Sequence, residues 1–174
     1  MPSDNKLSRL GPDRGFPWAG LCIGLAGGLA EIVVVLLYAA LTGADAASIA
    51  RHVASAAGLD GAPAAIGVTV HMGLAAALGI CLSAALRTPS GRSIRGWKIV
   101  PFMAGSLAIV WAINFFIVLP VVSPDFVHLM PFAVTLASKL AFGLAAAATS
   151  SALTAPASTR SVRQPDRTGV PSPA

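Results

Sequence analysis

Apolar residues fill four long segments of the chain, and polar residues are concentrated between these segments and at the two ends. The apolar segments cover residues 18–42, 64–86, 99–122 and about 124–150. Crossing about 30 Å of hydrocarbon takes about 20 helical residues, so each segment is long enough to span a membrane. The pattern therefore predicts an all-α, polytopic membrane protein that is built as a four-transmembrane-helix bundle.

The connection between the first two segments has its own periodicity. Gly43 can end the first helix, because glycine adopts the left-handed cap conformation at low cost. Asp45 can then cap a short helix within about 45–58, in which Ile49 and Val53 share one face. These features predict an amphipathic helix on the outer membrane surface, with an ordinary structured loop as the alternative.

The third connection is very short. Ser123, Pro124 and Asp125 have the order of a helix cap, a first helical position and an acidic first turn. A tight hairpin between the third and fourth helices follows from this. Pro120 is expected to distort the end of the third helix, and Pro131 is expected to bend the fourth.

The composition narrows the class of protein. Hydrophobic residues make up 55% and charged residues 11%, against about 25% charged in an ordinary globular domain. These values, with a mean hydropathy of +0.76, exclude a soluble enzyme core and a disordered tail protein. Cys22 and Cys81 lie inside apolar segments, so they are expected to be buried, small apolar residues rather than a disulfide.

The net charge of +5 is concentrated on one side of the bundle, which favours a topology signal over nucleic-acid binding. Cytoplasmic connections are rich in Lys and Arg, and Arg51 is the one basic residue on the opposite side. We therefore predict cytoplasmic N- and C-termini, with mobile tails at 1–15 and 154–174 flanking a transmembrane domain at 16–153. The basic residues on the cytoplasmic side are Lys6, Arg9, Arg14, Arg87, Arg92, Arg95, Lys98, Arg160, Arg163 and Arg167.

Nine arginines against three lysines, with abundant Ala and Gly, are typical of a bacterial genome rich in G and C. Together with the topology, this composition predicts a protein of the bacterial inner (plasma) membrane. Its expected partner is the lipid bilayer.

The most polar residues inside the predicted spans are Glu31, His71, Asn114 and Lys139. An ionisable group there costs about 2.5–3.5 kcal/mol even on lenient scales, so such groups are informative. Glu31 lies ~16 Å from the outer end of its helix, and the other three also belong to the middle or outer half. We predict one intramembrane cluster, in which a Glu31–Lys139 ion pair is bordered by His71 and Asn114.

The faces of the helices support this cluster. Small residues recur every three or four positions beside the polar ones, which lets helices approach closely in lipid. An isolated carboxylate at this depth tends to be neutral, and pairing with a lysine keeps both groups charged. Whether the pair only fixes helix packing or forms a proton- or ion-responsive site stays open. The residues on these faces are Gly20, Gly24, Gly28, Gly67, Ala75, Gly79, Thr135 and Gly143.

Two cofactor hypotheses are weaker alternatives. Haem ligation by His71 and His128 would need both at one depth, whereas His128 is expected near the outer surface. Copper ligation by these histidines with Met72 and Met130 lacks a repeated Met/His motif. We therefore predict no cofactor and no metal. An enzyme is also not indicated, because no nucleophile–base pair, paired carboxylates or phosphate loop is visible.

Three stretches carry a resemblance: Ala-Glu-Ile-Val at 30–33, Val-His-Met-Gly at 70–73 and Trp-Ala-Ile-Asn-Phe-Phe at 111–116. In this pattern the chain resembles small uncharacterised bacterial inner-membrane proteins with four helices, which implies topology and compartment. The central glutamate of the first helix is also similar to that of small multidrug exporters. The chain departs from those exporters in its length, its surface helix and its buried lysine, so their function is not carried over.

Two classes of function remain. The first is a non-enzymatic accessory or assembly subunit beside a larger membrane complex, which is preferred because so small a chain has room for little machinery. The second is a small oligomeric transporter or proton/ion-coupled carrier that uses Glu31 and Lys139. A membrane-protein partner is expected in the first case and self-association in the second.

Overall fold

The computed structural model describes residues 16–86 and 96–154, and these residues are helical apart from short connections. Four segments are long and apolar enough to cross a membrane, so the chain is a multi-pass membrane protein and the predicted all-α, four-span fold is confirmed. These segments are Pro17–Thr42, Ala64–Ala85, Ile99–Val122 and Phe132–Thr154. The helices are α1 (Phe16–Thr42), α2 (Ala46–Ala56), α3 (Ala64–Ala85), α4 (Ile99–Ile113), α5 (Leu119–Val122), α6 (Pro124–Leu129) and α7 (Phe132–Thr154).

Several predictions fall outside these residues. The two predicted tails lie there, except that Thr154 ends α7. Most of the basic connection between the second and third spans, residues 87–95, lies there too.

Helix α1 is at the centre of the bundle. It packs against α3 on one side and α7 on the other, and α4 packs against α7. Glycines make the α1–α3 contact close: a methyl group on Gly79 would collide with the backbone of Gly20 and Gly24. On the other side, Gly27 makes room for the fully buried ring of Phe142. The small-residue faces are therefore the faces on which these helices meet.

The short helix α2 covers α3 and also contacts α6. Gly43 ends α1 with φ +74°, and its N–H donates to the Ala39 carbonyl. Ile49 is buried while Arg51 is exposed, as the amphipathic pattern predicts. The helix is therefore observed in place of the alternative loop, and its position at the outer membrane surface stays a prediction.

Asp45 caps α2 as expected. Its Oδ1 accepts a hydrogen bond from the Ala47 N–H at 2.9 Å, and its Oδ2 forms an ion pair with Arg51 at 3.0 Å. The backbone N–H of Ser48 is the main cause of a lowered pKa of the Asp45 carboxyl. At pH values above the usual pKa of an aspartate, the Asp45 carboxylate therefore caps the helix in full. The stabilisation is lost only as the pH falls through the lowered pKa.

We expect Asp45→Ala to loosen α2 without unfolding the bundle. Amide exchange of the first turn should accelerate in Asp45→Ala and stay close to wild type in Asp45→Asn, because Asn is also a good cap. Hydrogen exchange with mass spectrometry measures both variants. Equal protection in Asp45→Ala and wild type would contradict a capping role.

The third span contains a π-helical turn, Asn114–Val118, between α4 and α5. The N–H of Leu119 donates to the Asn114 carbonyl, one residue further back than in an α-helix. Pro120 gives the physical reason: it has no N–H for the Phe116 carbonyl, and its ring crowds that carbonyl. The distortion expected from Pro120 thus widens the helix at the level of Asn114.

The fourth span differs from its prediction. The segment expected as one helix at 124–150, bent at Pro131, is instead two helices, α6 and α7. Met130 adopts an extended conformation between them, which is the conformation that a following proline favours. Ser123 also provides no side-chain cap for α6. The fourth span is therefore Phe132–Thr154, and Lys139 lies ~11 Å from its start.

The cysteines also differ from their prediction. Cys22 and Cys81 are free thiols, and both are exposed at the surface of the bundle instead of buried in its core. An exposed position within a membrane span faces lipid, where a small apolar side chain such as cysteine is tolerated as well as in a core. The hydropathy of a segment does not distinguish these two environments.

Candidate functional site

Glu31 lies in the middle of α1, and its side chain is almost completely buried, with 4% exposed. Its Oε1 is 2.6 Å from the Lys139 Nζ of α7, and its Oε2 is 3.5 Å from the His71 Nε2 of α3. Three spans thus contribute one ionisable side chain each to a single cluster. We call Glu31, His71 and Lys139 the charged cluster.

The charged cluster is only partly satisfied. The Lys139 ammonium and Glu31 Oε1 are close enough for strong attraction, yet they do not meet the geometry of a hydrogen bond. His71 Nε2 is a buried atom with no hydrogen-bond partner among the described residues. Buried polar atoms are nearly always paired, and catalytic or binding groups in a ligand-free protein are a common exception. The contact is thus an ion pair with unused donor and acceptor capacity.

A cavity of about 650 Å³ adjoins the charged cluster. Its volume is within the ~300–1,000 Å³ of pockets that hold small ligands. It lies between α3 and the third span, beside α1 and α7, and α2 and α6 contribute to its wall. Most of the lining is aliphatic or aromatic, as at Ile49, Leu74, Val110, Phe115 and Phe126.

Titratable side chains are few in this wall. Among the described lining residues, Glu31 of α1, His71 of α3 and Lys139 of α7 are the titratable ones; α2, α6 and the third span contribute none. Any change of charge in the cavity must therefore occur within the charged cluster.

Two hydroxyl groups in the wall are already engaged. Thr135 Oγ1 accepts from the Trp111 Nε1 at 3.0 Å and is 3.0 Å from the Phe132 carbonyl, to which its hydroxyl donates. Ser138 donates to the Thr135 carbonyl at 2.9 Å. These bonds attach the third span to α7 and position the segment that carries Lys139.

An aromatic cluster stands next to these hydroxyls. Trp111 stacks on Phe115, and Phe116 and Phe132 make edge contacts with the same indole. Sequence reasoning did not identify this cluster. Its signal was the Phe-Phe pair one turn after Trp111, since residues four apart on a helix are neighbours. The contribution of Phe132 comes from the start of α7 and had no such local signal.

Asn114, the fourth predicted site residue, is half-buried and lines the same cavity as the charged cluster. Its side chain has no hydrogen bond to Glu31, His71 or Lys139 among the described residues. That the four residues act as one functional site stays a prediction.

The haem and copper hypotheses find little support in the geometry. His71 and Met130 line the cavity, whereas His128 is exposed on α6 and Met72 packs near Gly28. In the described ranges, no group of three or more His, Cys, Asp and Glu side chains is placed to hold a metal ion.

Comparisons with protein-family models, with curated proteins and with solved structures find no match to this chain. The features that bear on function are thus those of the molecule itself: four membrane spans, the charged cluster and the adjoining cavity.

Proposed function

We propose that the protein is a small proton-coupled carrier, with the cavity as the substrate site and the charged cluster as the proton site. The observation that carries the proposal is a buried carboxylate, Glu31, held between a lysine and a histidine at the wall of a ligand-sized cavity. A pair that served only helix packing would not need to adjoin such a cavity.

The coupling of substrate binding to proton binding follows from the charges of Glu31 and Lys139. Glu31 and Lys139 together are neutral, so a proton or a charged substrate that joins them must change their pairing. His71 lies beside the pair, with its Nε2 3.5 Å from Glu31 Oε2, so the imidazole is placed to exchange a hydrogen bond with the carboxylate when the pairing changes. A carrier of this kind binds substrate and proton in one place and releases both on the other side.

The proposal includes the compartment and the orientation. Ten of the basic residues lie on the side assigned to the cytoplasm, and Arg51 alone lies opposite, which supports cytoplasmic termini in a bacterial inner membrane. With this orientation α2 and α6 are on the outer side, above the cavity.

Cysteine accessibility tests the carrier proposal. Val110→Cys places a thiol in the cavity wall, and Ile109→Cys places one on the neighbouring exposed position, outside the cavity lining; both are made after replacing Cys22 and Cys81 by Ala. A membrane-impermeant maleimide is applied to right-side-out and to inside-out vesicles, at low and at high pH.

We expect Val110→Cys to react from both sides, with the balance between the sides shifting with pH. Glu31→Gln should remove that pH dependence, and Ile109→Cys should stay unreactive in lipid. Reaction of Val110→Cys from one side only, with no change in Glu31→Gln, contradicts a carrier. Such a result, with a membrane protein that co-purifies in mild detergent, would instead support the accessory-subunit hypothesis.

A further inference from the structure

The charged cluster does not present its charges equally to the cavity. The Lys139 side chain is 20% exposed and that of His71 is 26% exposed, while Glu31 behind them is 4% exposed. A ligand in the cavity therefore meets the Lys139 ammonium before it meets the carboxylate, while the Nε2 atom of His71 is itself buried. The charged group that a ligand in the cavity can reach is therefore a cation and a hydrogen-bond donor.

Few other polar groups remain for a ligand. The hydroxyls of Thr135 and Ser138 are used in the bonds described above. Lys139 has three N–H donors, of which Glu31 can occupy one, and the Asn114 amide adds two donors and one acceptor oxygen. The unused polar groups of the wall are thus mainly donors, which suits an anionic head.

The rest of the cavity suits an apolar chain. Its wall extends from Val122 and Phe126 at the outer end to Leu78 and Phe142 below the charged cluster, and nearly all of it is hydrocarbon. Among the described helices, α3 and α4 do not form a packed pair, so the cavity lies between two spans rather than inside a closed core. A ligand with a long apolar chain can enter such a site from the bilayer.

We infer that the substrate is an amphipathic monocarboxylate, whose carboxylate binds Lys139 and whose apolar chain fills the cavity. This inference rests on the carrier proposed above and names its substrate class. It also gives the coupling a stoichiometry. When the anion becomes the partner of the Lys139 ammonium, Glu31 loses its counter-ion and takes up a proton, so one proton binds with each anion and the site stays neutral.

Quenching of Trp111 fluorescence tests the inference in detergent, without any transport step. Trp111 lines the cavity, and replacing Trp18 and Trp97 by Phe leaves it as the single indole. The two probes are dodecanoate brominated along its chain and the trimethylammonium amphiphile with the same chain. Bromine quenches an indole on contact, and the two probes share the apolar chain but carry head groups of opposite charge.

We expect saturable quenching by the brominated anion, and little by the cation. Lys139→Met should weaken anion binding about tenfold or more, while Lys139→Arg retains it, since a charge-assisted hydrogen bond is lost only in the first. Because Lys139→Met strands Glu31 and is expected to destabilise the fold for that reason alone, Glu31→Gln is the decisive variant. Gln resembles the protonated glutamate and frees the ammonium, so anion binding should become tighter.

The opposite results overturn the inference. Tighter binding of the cation than of the anion, with its loss in Glu31→Gln, would make the glutamate the binding group and the substrate a lipophilic cation. Equal quenching by both probes in every variant would mean only partition into detergent and apolar surface. Neither result affects the cysteine-accessibility test, which addresses the carrier itself, so failure of the substrate class and failure of the carrier are distinguishable.

Discussion

Lys139→Met is expected to destabilise the protein by about 3–5 kcal/mol, because it leaves the Glu31 carboxylate buried without a counter-ion. Glu31→Gln is expected to cost less, about 1–3 kcal/mol, which is the range for one unsatisfied buried group. The two costs differ because the two side chains differ in their exposure. Glu31 is 4% exposed and cannot reach water, whereas Lys139 is 20% exposed and its long side chain can extend into the cavity.

The double variant Glu31→Gln/Lys139→Met should be more stable than the sum of the single changes predicts. Removing both charges eliminates the uncompensated one, so we expect a coupling of about 1–3 kcal/mol between the two sites. Unfolding in mixed micelles at increasing denaturant, followed by far-UV circular dichroism, measures the four proteins. Additive single effects would contradict the ion pair.

The sequence was sufficient for the spans because the bilayer sets their length. About 20 apolar residues are needed wherever lipid surrounds a helix, and this requirement is local. The contact of Glu31 with Lys139 also follows from a local rule, that ionisable groups avoid lipid, applied to two helices that share small-residue faces. The approach of His71 to the pair follows from the same argument on α3.

The break at Met130 and Pro131 was not predictable in the same way. A proline inside an apolar run either bends one helix or separates two, and packing decides between them. Here Met130 is 2% exposed and lines the cavity in its extended conformation. Met130 shares this cavity wall with residues of α2, a helix distant in sequence, so the residues around Pro131 alone could not indicate the burial.

The cavity was also invisible to sequence reasoning. It exists because α3 packs against α1 and α2 rather than α4, which leaves space beside Glu31. Hydropathy assigns the same value to a leucine in a packed interface, in a cavity wall or against lipid. For the same reason, hydropathy could not show that Cys22 and Cys81 are exposed at the surface of the bundle.

The packing of α1 against α3 leads to the second large effect. Gly79→Ala should destabilise the protein by about 3 kcal/mol, the upper part of the range for overpacking. The added methyl group would meet the backbone of Gly20 and Gly24, which cannot rotate away as a side chain can. The two helices would have to separate along the contact that also positions His71 beside Glu31.

Gly73→Ala is the matched control, because it lies on the same helix and its new methyl group would meet no atom within 4 Å. This change should be neutral or stabilise α3 by up to about 1 kcal/mol, since glycine is the poorer helix former. Unfolding of both variants is compared with wild type. If Gly73→Ala destabilised the protein as much as Gly79→Ala does, the cost would come from replacing any glycine of α3. The close α1–α3 contact would then lose its support. A large cost confined to Gly79 instead supports the close contact of its backbone with Gly20 and Gly24. Because α1 carries Glu31 and α3 carries His71, the charged cluster would then depend on residues that carry no charge.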